Sequence, residues 1–169
     1  LAVCGYPPRD LLLQPDFITT SFETAKNLAV EIPVLVGTPI PPDHERNLPA
    51  NGVVRAGVLQ AVPNKDNTNR VVAKKQLLPS YDVFDETRYF TPANRSGICR
   101  SIGEIDLGIT ICEDAWQAAG LTPSAYGQDP VASLAEWGRQ GVSLDATVNL
   151  SASPYHADKV GSRIKVCRT

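Results

Sequence analysis

The chain has 169 residues, 43% of them hydrophobic and 20% charged, with 16 basic against 18 acidic side chains and a net charge of −2. A chain of this length buries roughly 70% of its unfolded surface and needs neither disulfides nor a structural metal to form one core. Balanced charge without a block of one sign argues against nucleic acid or an anionic membrane as partner, and no apolar run approaches the ~20 residues of a membrane span, Leu11-Leu12-Leu13 being far too short.

The chain opens at Leu1-Ala2-Val3-Cys4, apolar residues that read as the end of a strand. It holds no methionine, the pattern of a processed or truncated chain. Gly5-Tyr6-Pro7-Pro8-Arg9-Asp10 reads as a turn leaving a sheet, because paired prolines stop a strand and hold the backbone extended. From Thr20 to Val30, Phe22, Ala25, Leu28 and Ala29 recur on one helical face, with Thr20 or Ser21 as N-cap and Pro33 as the stop. Val34-Leu35-Val36 predicts a short buried strand closed by Gly37-Thr38-Pro39, and the stretch from Pro39 to Pro49 predicts a loop. Val53–Val62 and Arg70–Ala73 read as a hairpin about Asn64-Lys65-Asp66-Asn67. Leu77 to Phe90 is irregular and aromatic, and Ile105–Ile111 reads as a second buried strand. Val131–Gln140 fits a helix with Val131, Leu134, Ala135 and Gly138 facing inward; Ala146–Asn149 fits a short strand, followed by a turn at Ser153-Pro154 and a helical stretch after Ala157. Strands alternate with helices, which is α/β order, with no repeat or linker to divide the chain.

Cys4, Cys99, Cys112 and Cys167 are scattered without a CxxC, so reduced thiols in a cytoplasmic protein are the expectation. Two isolated histidines, His44 and His156, do not suggest a zinc site. His44 reads as solvated, and His156, beside the Ser/Tyr turn, either lines a site or is a surface residue. The sharpest local feature is the strand end Ile111-Cys112-Glu113-Asp114-Ala115-Trp116, because ligands of α/β sheets bind where strands end. Cys112 there is either a nucleophile or a small buried hydrophobe. As a nucleophile it needs a cation or base, since a free thiol with a pKa of about 8.5 is mostly protonated at neutral pH. Lys74-Lys75 at the hairpin end is either that cation, also suited to an oxyanion, or an exposed basic pair. Asn149-Leu150-Ser151-Ala152-Ser153-Pro154-Tyr155 offers small hydroxyl donors after a strand, or is simply a turn. There is no GxSxG elbow and no GxxxxGK[ST] or GxGxxG loop, and SxxK at Ser162–Lys165 matches by letters only.

Four ordered segments together resemble the glutaminase domain of glutamine-dependent NAD synthetases, a branch of the nitrilase (carbon–nitrogen hydrolase) superfamily. They are Gly5 to Leu12, Lys75 to Phe90 with its Val83-Phe84-Asp85-Glu86-Thr87-Arg88-Tyr89-Phe90 run, Ile111 to Trp116, and Asn149 to Tyr155 with Lys159. The resemblance implies a four-layer αββα sandwich, incomplete at both ends, and a Glu–Lys–Cys triad. Cys112 matches the nucleophile and Lys75 the lysine; Tyr81, Ser153 and Lys159 match residues that hold glutamine, and Glu86 and Glu113 are supporting acids. It implies L-glutamine as substrate, with ammonia passed on for ATP-dependent conversion of deamido-NAD to NAD.

Two departures stand against a simple transfer. The family usually has glycine before the substrate-binding lysine, where this chain has Asp158. The family's general-base glutamate lies in a Pro-Glu-Leu element whose Leu aligns with Leu1, so the base falls at the position before Leu1. The 169 residues alone are therefore expected to be inactive, a partial hydrolase domain over 1–169. The synthetase domain, with its Ser-Gly-Gly-x-Asp-Ser loop and its ATP and Mg, is expected in a longer parent that forms homo-oligomers. No cofactor or metal is expected in this segment. The alternatives are a stand-alone nitrilase-family amidase and a non-catalytic interaction module.

Overall fold

In the computed structural model of the chain, residues 1–29, 31–42, 54–63, 68–95, 97–102, 105–123 and 125–169 are described. Among these residues the strands are β1 Val34–Ile40, β2 Arg55–Ala61, β3 Arg70–Lys74, β4 Gly97–Ile102, β5 Ile105–Ile111 and β6 Ala146–Leu150; the helices are α1 Pro15–Lys26, α2 Pro130–Arg139 and α3 Lys159–Cys167. The strands form two three-stranded sheets, β1-β2-β3 and β4-β5-β6, antiparallel throughout except for the parallel pair β5–β6.

Alternation along the strands builds the layers. On one face of the first sheet, Val36, Ile40, Leu59 and Ala61 pack under Phe22 and Ala25 of α1. Its other face meets the second sheet through Val58, Ala73 and Ile109, flanked by Leu35, Val72, Leu107, Ile111 and Leu150. Gly97 lies so close to Ala73 that a Cβ there would overlap it, which sets the spacing of the sheets at that point. On the outer face of β5, Gly108 leaves room for Leu134 of α2 and for Leu144. The order is helix, sheet, sheet, helix, the αββα arrangement the resemblance implies.

Several elements depart from the sequence expectations. α1 starts at Pro15 rather than Thr20, because proline at the first helical position has its φ preset and loses only an N–H that is unpaired there anyway. Thr20 and Ser21 thus sit inside the helix, and Asn27 ends it, its side-chain amide donating to the Glu23 carbonyl. Leu28 lies past that end and is exposed, while Ala29 still packs against the core. β1 runs through Gly37-Thr38-Pro39 to Ile40 instead of stopping at Val36, which an edge strand tolerates. Ala2 to Cys4 form a turn rather than a strand end, although the Ala2 N–H donates to the Gly37 carbonyl at 2.7 Å. β4 has no counterpart in the sequence reading. Ala135 and Gly138 of α2 are exposed, and the helix buries Pro130 and Leu134; Asp129 caps it by accepting from the N–H groups of Val131 and Ala132. The hairpin pairs as expected, with a register shift between Val58 and Leu59. Its turn at Asn64-Lys65-Asp66-Asn67, the loop around His44 and Val30 lie outside the described residues.

Candidate active site

β5 ends at Ile111, and the chain turns at once into a short 3-10 segment, Cys112–Ala115. Cys112 adopts φ +52°, a left-handed conformation unusual for a residue with a Cβ, and is 7% exposed. Its backbone carbonyl accepts from the Asn149 amide at 3.2 Å, and Asn149 also donates to Thr110 Oγ1 at 2.9 Å, which ties this turn to β6. Cys4, Cys112 and Cys167 are free thiols, Cys167 being exposed.

Lys75 follows β3 and is 2% exposed, so it is not the surface residue that one reading of the Lys74-Lys75 pair suggests. Its ammonium is paired with the Glu86 carboxylate, itself 5% exposed, whose other oxygen accepts from the Tyr6 hydroxyl at 2.6 Å. Burial, and then the Glu86 charge, push the Tyr6 phenol well above its ordinary range, so it stays a hydrogen-bond donor. Lys75, Glu86, Tyr6 and Cys112 line one cavity of about 320 Å³, closed on other sides by Leu1, Ala2, Ile111, Leu150 and Ala152.

Cys112 also lines a second cavity of about 300 Å³, with Tyr81, Glu113, Trp116, Ser153 and Lys159 on its walls. Here the Tyr81 hydroxyl donates to both oxygens of the buried Glu113 at 2.9 Å, and the Tyr126 hydroxyl donates to it at 3.4 Å. Burial and the adjacent Glu113 carboxylate raise the Tyr81 phenol and push Tyr126 up to about 12. The Lys159 ammonium stands 4.5 Å from the Trp116 ring centroid, a cation–π contact. Ser153 Oγ accepts from Arg163 at 3.3 Å. His156 borders the same cavity while remaining exposed, and Asp158 precedes α3 with no capping hydrogen bond from its side chain.

The residues singled out in the sequence therefore line two cavities that share Cys112: Lys75 and Glu86 in one, Tyr81, Glu113, Ser153 and Lys159 in the other. Three contributors went unassigned there. Tyr6 sits in a Gly-Tyr-Pro-Pro segment read only as a turn, and Tyr126 lies in a stretch with no pattern. Asp114 sits at the third position of the Cys112 turn, where a carboxylate reaching back to the N–H at the start of the turn is a recognisable signal. Among the described residues, no cluster of three or more His, Cys, Asp or Glu is placed to hold a metal ion, and no helix is long and apolar enough to cross a membrane.

The chain is 38% identical over 164 residues to the glutamine-dependent NAD(+) synthetase of Synechocystis, an alignment covering 94% of this chain and 28% of that protein. It is 36% identical over 163 residues to the enzyme of the same name from Thermotoga maritima, covering 92% of this chain and 23% of that one. Its homologues are glutamine-dependent NAD synthetases. The chain spans about a quarter of the length of these curated relatives. The solved glutamine-dependent NAD+ synthetase of Acinetobacter baumannii, in complex with ADP, superposes with a TM-score of 0.63 at 25% identity over 94% of this chain and 26% of that one. A mutant amidase from a Nesterenkonia species, showing covalent addition of an acetamide moiety at its active-site cysteine, superposes with a TM-score of 0.57 at 15% identity over 92% of this chain and 51% of that one. This second likeness bears on the fold, which is nitrilase-like. No protein-family model matches the chain.

Proposed function

We propose that residues 1–169 form part of the glutaminase domain of a glutamine-dependent NAD synthetase, and that Cys112 is the nucleophile that releases ammonia from L-glutamine. One observation carries this reading: the buried Lys75–Glu86 pair and the Tyr81–Glu113–Ser153–Lys159 wall line two cavities that share Cys112. The names of the relatives favour it over a stand-alone amidase.

In the proposed reaction the Cys112 thiolate attacks the side-chain carbonyl carbon of glutamine. The Lys75 ammonium faces the oxyanion that develops. The C–N bond breaks as the amide nitrogen receives the proton given up by the thiol, carried by the general base, and leaves as ammonia; a γ-glutamyl thioester remains on the sulfur, and water hydrolyses it to glutamate and restores the thiol. Lys159 is suited to the substrate's α-carboxylate and Glu113 to its α-ammonium group. The resemblance assigns the general base to a glutamate joined to Leu1, a residue that lines the cavity of Lys75, Glu86 and Cys112. ATP and Mg belong to a separate synthetase domain of the longer protein, which uses the ammonia to convert deamido-NAD to NAD in a homo-oligomer of the cytoplasm.

In a full-length synthetase carrying these residues, Cys112→Ala is expected to abolish glutamine-driven NAD formation and leave ammonia-driven formation intact. Equal loss of both overturns the reading. Adding a Glu before Leu1 is expected to raise glutamine hydrolysis about 10²–10⁴-fold over residues 1–169 alone. Equal turnover with and without it refutes the assignment of the base.

A further inference from the structure

One carboxylate bridges the two segments that present Lys75 and Cys112. Asp114 Oδ1 accepts from the N–H groups of Gln76 at 3.1 Å and Leu77 at 2.8 Å, the two residues that follow Lys75. Its Oδ2 accepts from the N–H of Ile111 at 3.1 Å, the residue before Cys112. Asp114 is 2% exposed, so these bonds are shielded from competing water. They also hold the flank of a left-handed residue, a conformation that persists only where its surroundings over-determine it.

We propose that Asp114 is a positioning residue for amide hydrolysis, its carboxylate fixing the end of β3 against the turn after β5 and so setting the Lys75 ammonium relative to the Cys112 thiol. The inference rests on Cys112 being the nucleophile. An ionised carboxylate suits the task because all three partners are donors and it is acceptor-only. Asparagine keeps the shape, but its amide NH₂ would turn a donor toward a donor.

The test is alkylation of the 169-residue chain with iodoacetamide at neutral pH, each thiol followed separately by peptide mass spectrometry. Asp114→Asn is expected to slow reaction at Cys112 about tenfold, the scale of one lost charge-assisted hydrogen bond, while the exposed Cys167 keeps its rate. Leu134→Ala, a truncation on the opposite face of β5, supplies a destabilised control that is expected to leave the Cys112 rate unchanged. In a full-length synthetase, Asp114→Asn is expected to lower kcat for glutamine with KM nearly unchanged. An unchanged Cys112 rate in folded Asp114→Asn overturns the proposal, as does an equal slowing in Leu134→Ala. If Asp114→Asn does not fold, Asp114→Glu, which keeps the charge and lengthens the arm, is read in the same way. Failure of both variants to fold assigns Asp114 to folding alone. Alkylation requires no turnover, so absence of glutaminase activity would count against the functional reading and leave the positioning result standing.

Discussion

Lys75 and Glu86 form an ion pair sealed inside the molecule, 2% and 5% exposed, at the junction of β3 and the aromatic segment that follows it. Removing one partner of a buried pair leaves the other charged and uncompensated, a loss of about 3–5 kcal/mol. Glu86→Ala is therefore expected to lower unfolding free energy by that amount in urea titrations. Lys75→Met combined with Glu86→Ala should lose less than Glu86→Ala alone, because no charge is then stranded. Additive losses would show that the two side chains act independently.

Asp114 makes stability depend on pH. Burial raises its pKa from 3.8 to about 6, against the pull of its three N–H donors and of Lys75. A carboxyl whose folded pKa lies above its unfolded value binds its proton more tightly when folded. Its contribution is complete below about pH 4 and fades as the pH rises through about 6. The stability of the protein relative to Asp114→Asn should thus be greater at pH 4 than at pH 7, by on the order of 3 kcal/mol. Denaturation of both proteins at the two pH values checks this; a difference of the opposite sign would count against it.

Lys159 stands above the Trp116 ring on the wall of the second cavity, and the proposed function gives it an anionic group of the substrate to bind. In a full-length synthetase, Lys159→Ala is expected to raise KM for glutamine about tenfold or more with a smaller change in kcat, the signature of lost ground-state binding. Trp116→Ala should raise KM by a smaller factor, since the cation–π contact is worth about 0.5–1 kcal/mol at an exposed site. A fall in kcat with constant KM would move Lys159 from binding to chemistry.

Two glycines should respond in opposite directions to the same added methyl group. At Gly97 a Cβ would overlap Ala73 and the Val72 carbonyl, so Gly97→Ala is expected to cost about 1–3 kcal/mol. At Gly138, exposed in α2 with open space where the Cβ would stand, Gly138→Ala should add about 0.5–1 kcal/mol through helix propensity. Thermal or urea unfolding of the two variants compares them directly.

The site residues were more legible in the sequence than the boundaries of the elements carrying them. Ile105–Ile111 stands where its apolar run puts it, because a short run ending at Cys-Glu-Asp leaves no other register. Apolar spacing with Thr20 or Ser21 as N-cap and Pro33 as stop shifts α1 toward its C-terminal side, because that spacing continues past the Asn27 end while the true start is marked by Pro15 rather than by apolar spacing. β4 escaped notice because its register with β5 is a non-local property, and its own residues show little alternation. The local pattern of Lys74-Lys75 does not tell which is buried, and the resemblance alone singles out Lys75; the fold supplies the reason, the Glu86 carboxylate that pairs with it and is held by the Tyr6 hydroxyl. Tyr6 was hidden by its prolines, which account for the local backbone and draw attention away from a phenol whose partner is 80 residues distant.

α3 buries none of its residues, and Val160 and Ile164 remain 59% and 47% exposed. It nonetheless carries Lys159, one wall of the second cavity, whereas Cys112 directly follows β5, a strand whose Ile109 is embedded in the core between the sheets. Amide hydrogens of α3 should therefore exchange through local opening long before those of β5, which exchange near the global limit. A ligand bridging the two walls would register first as protection along Lys159–Cys167. Its affinity would carry the cost of holding that helix closed.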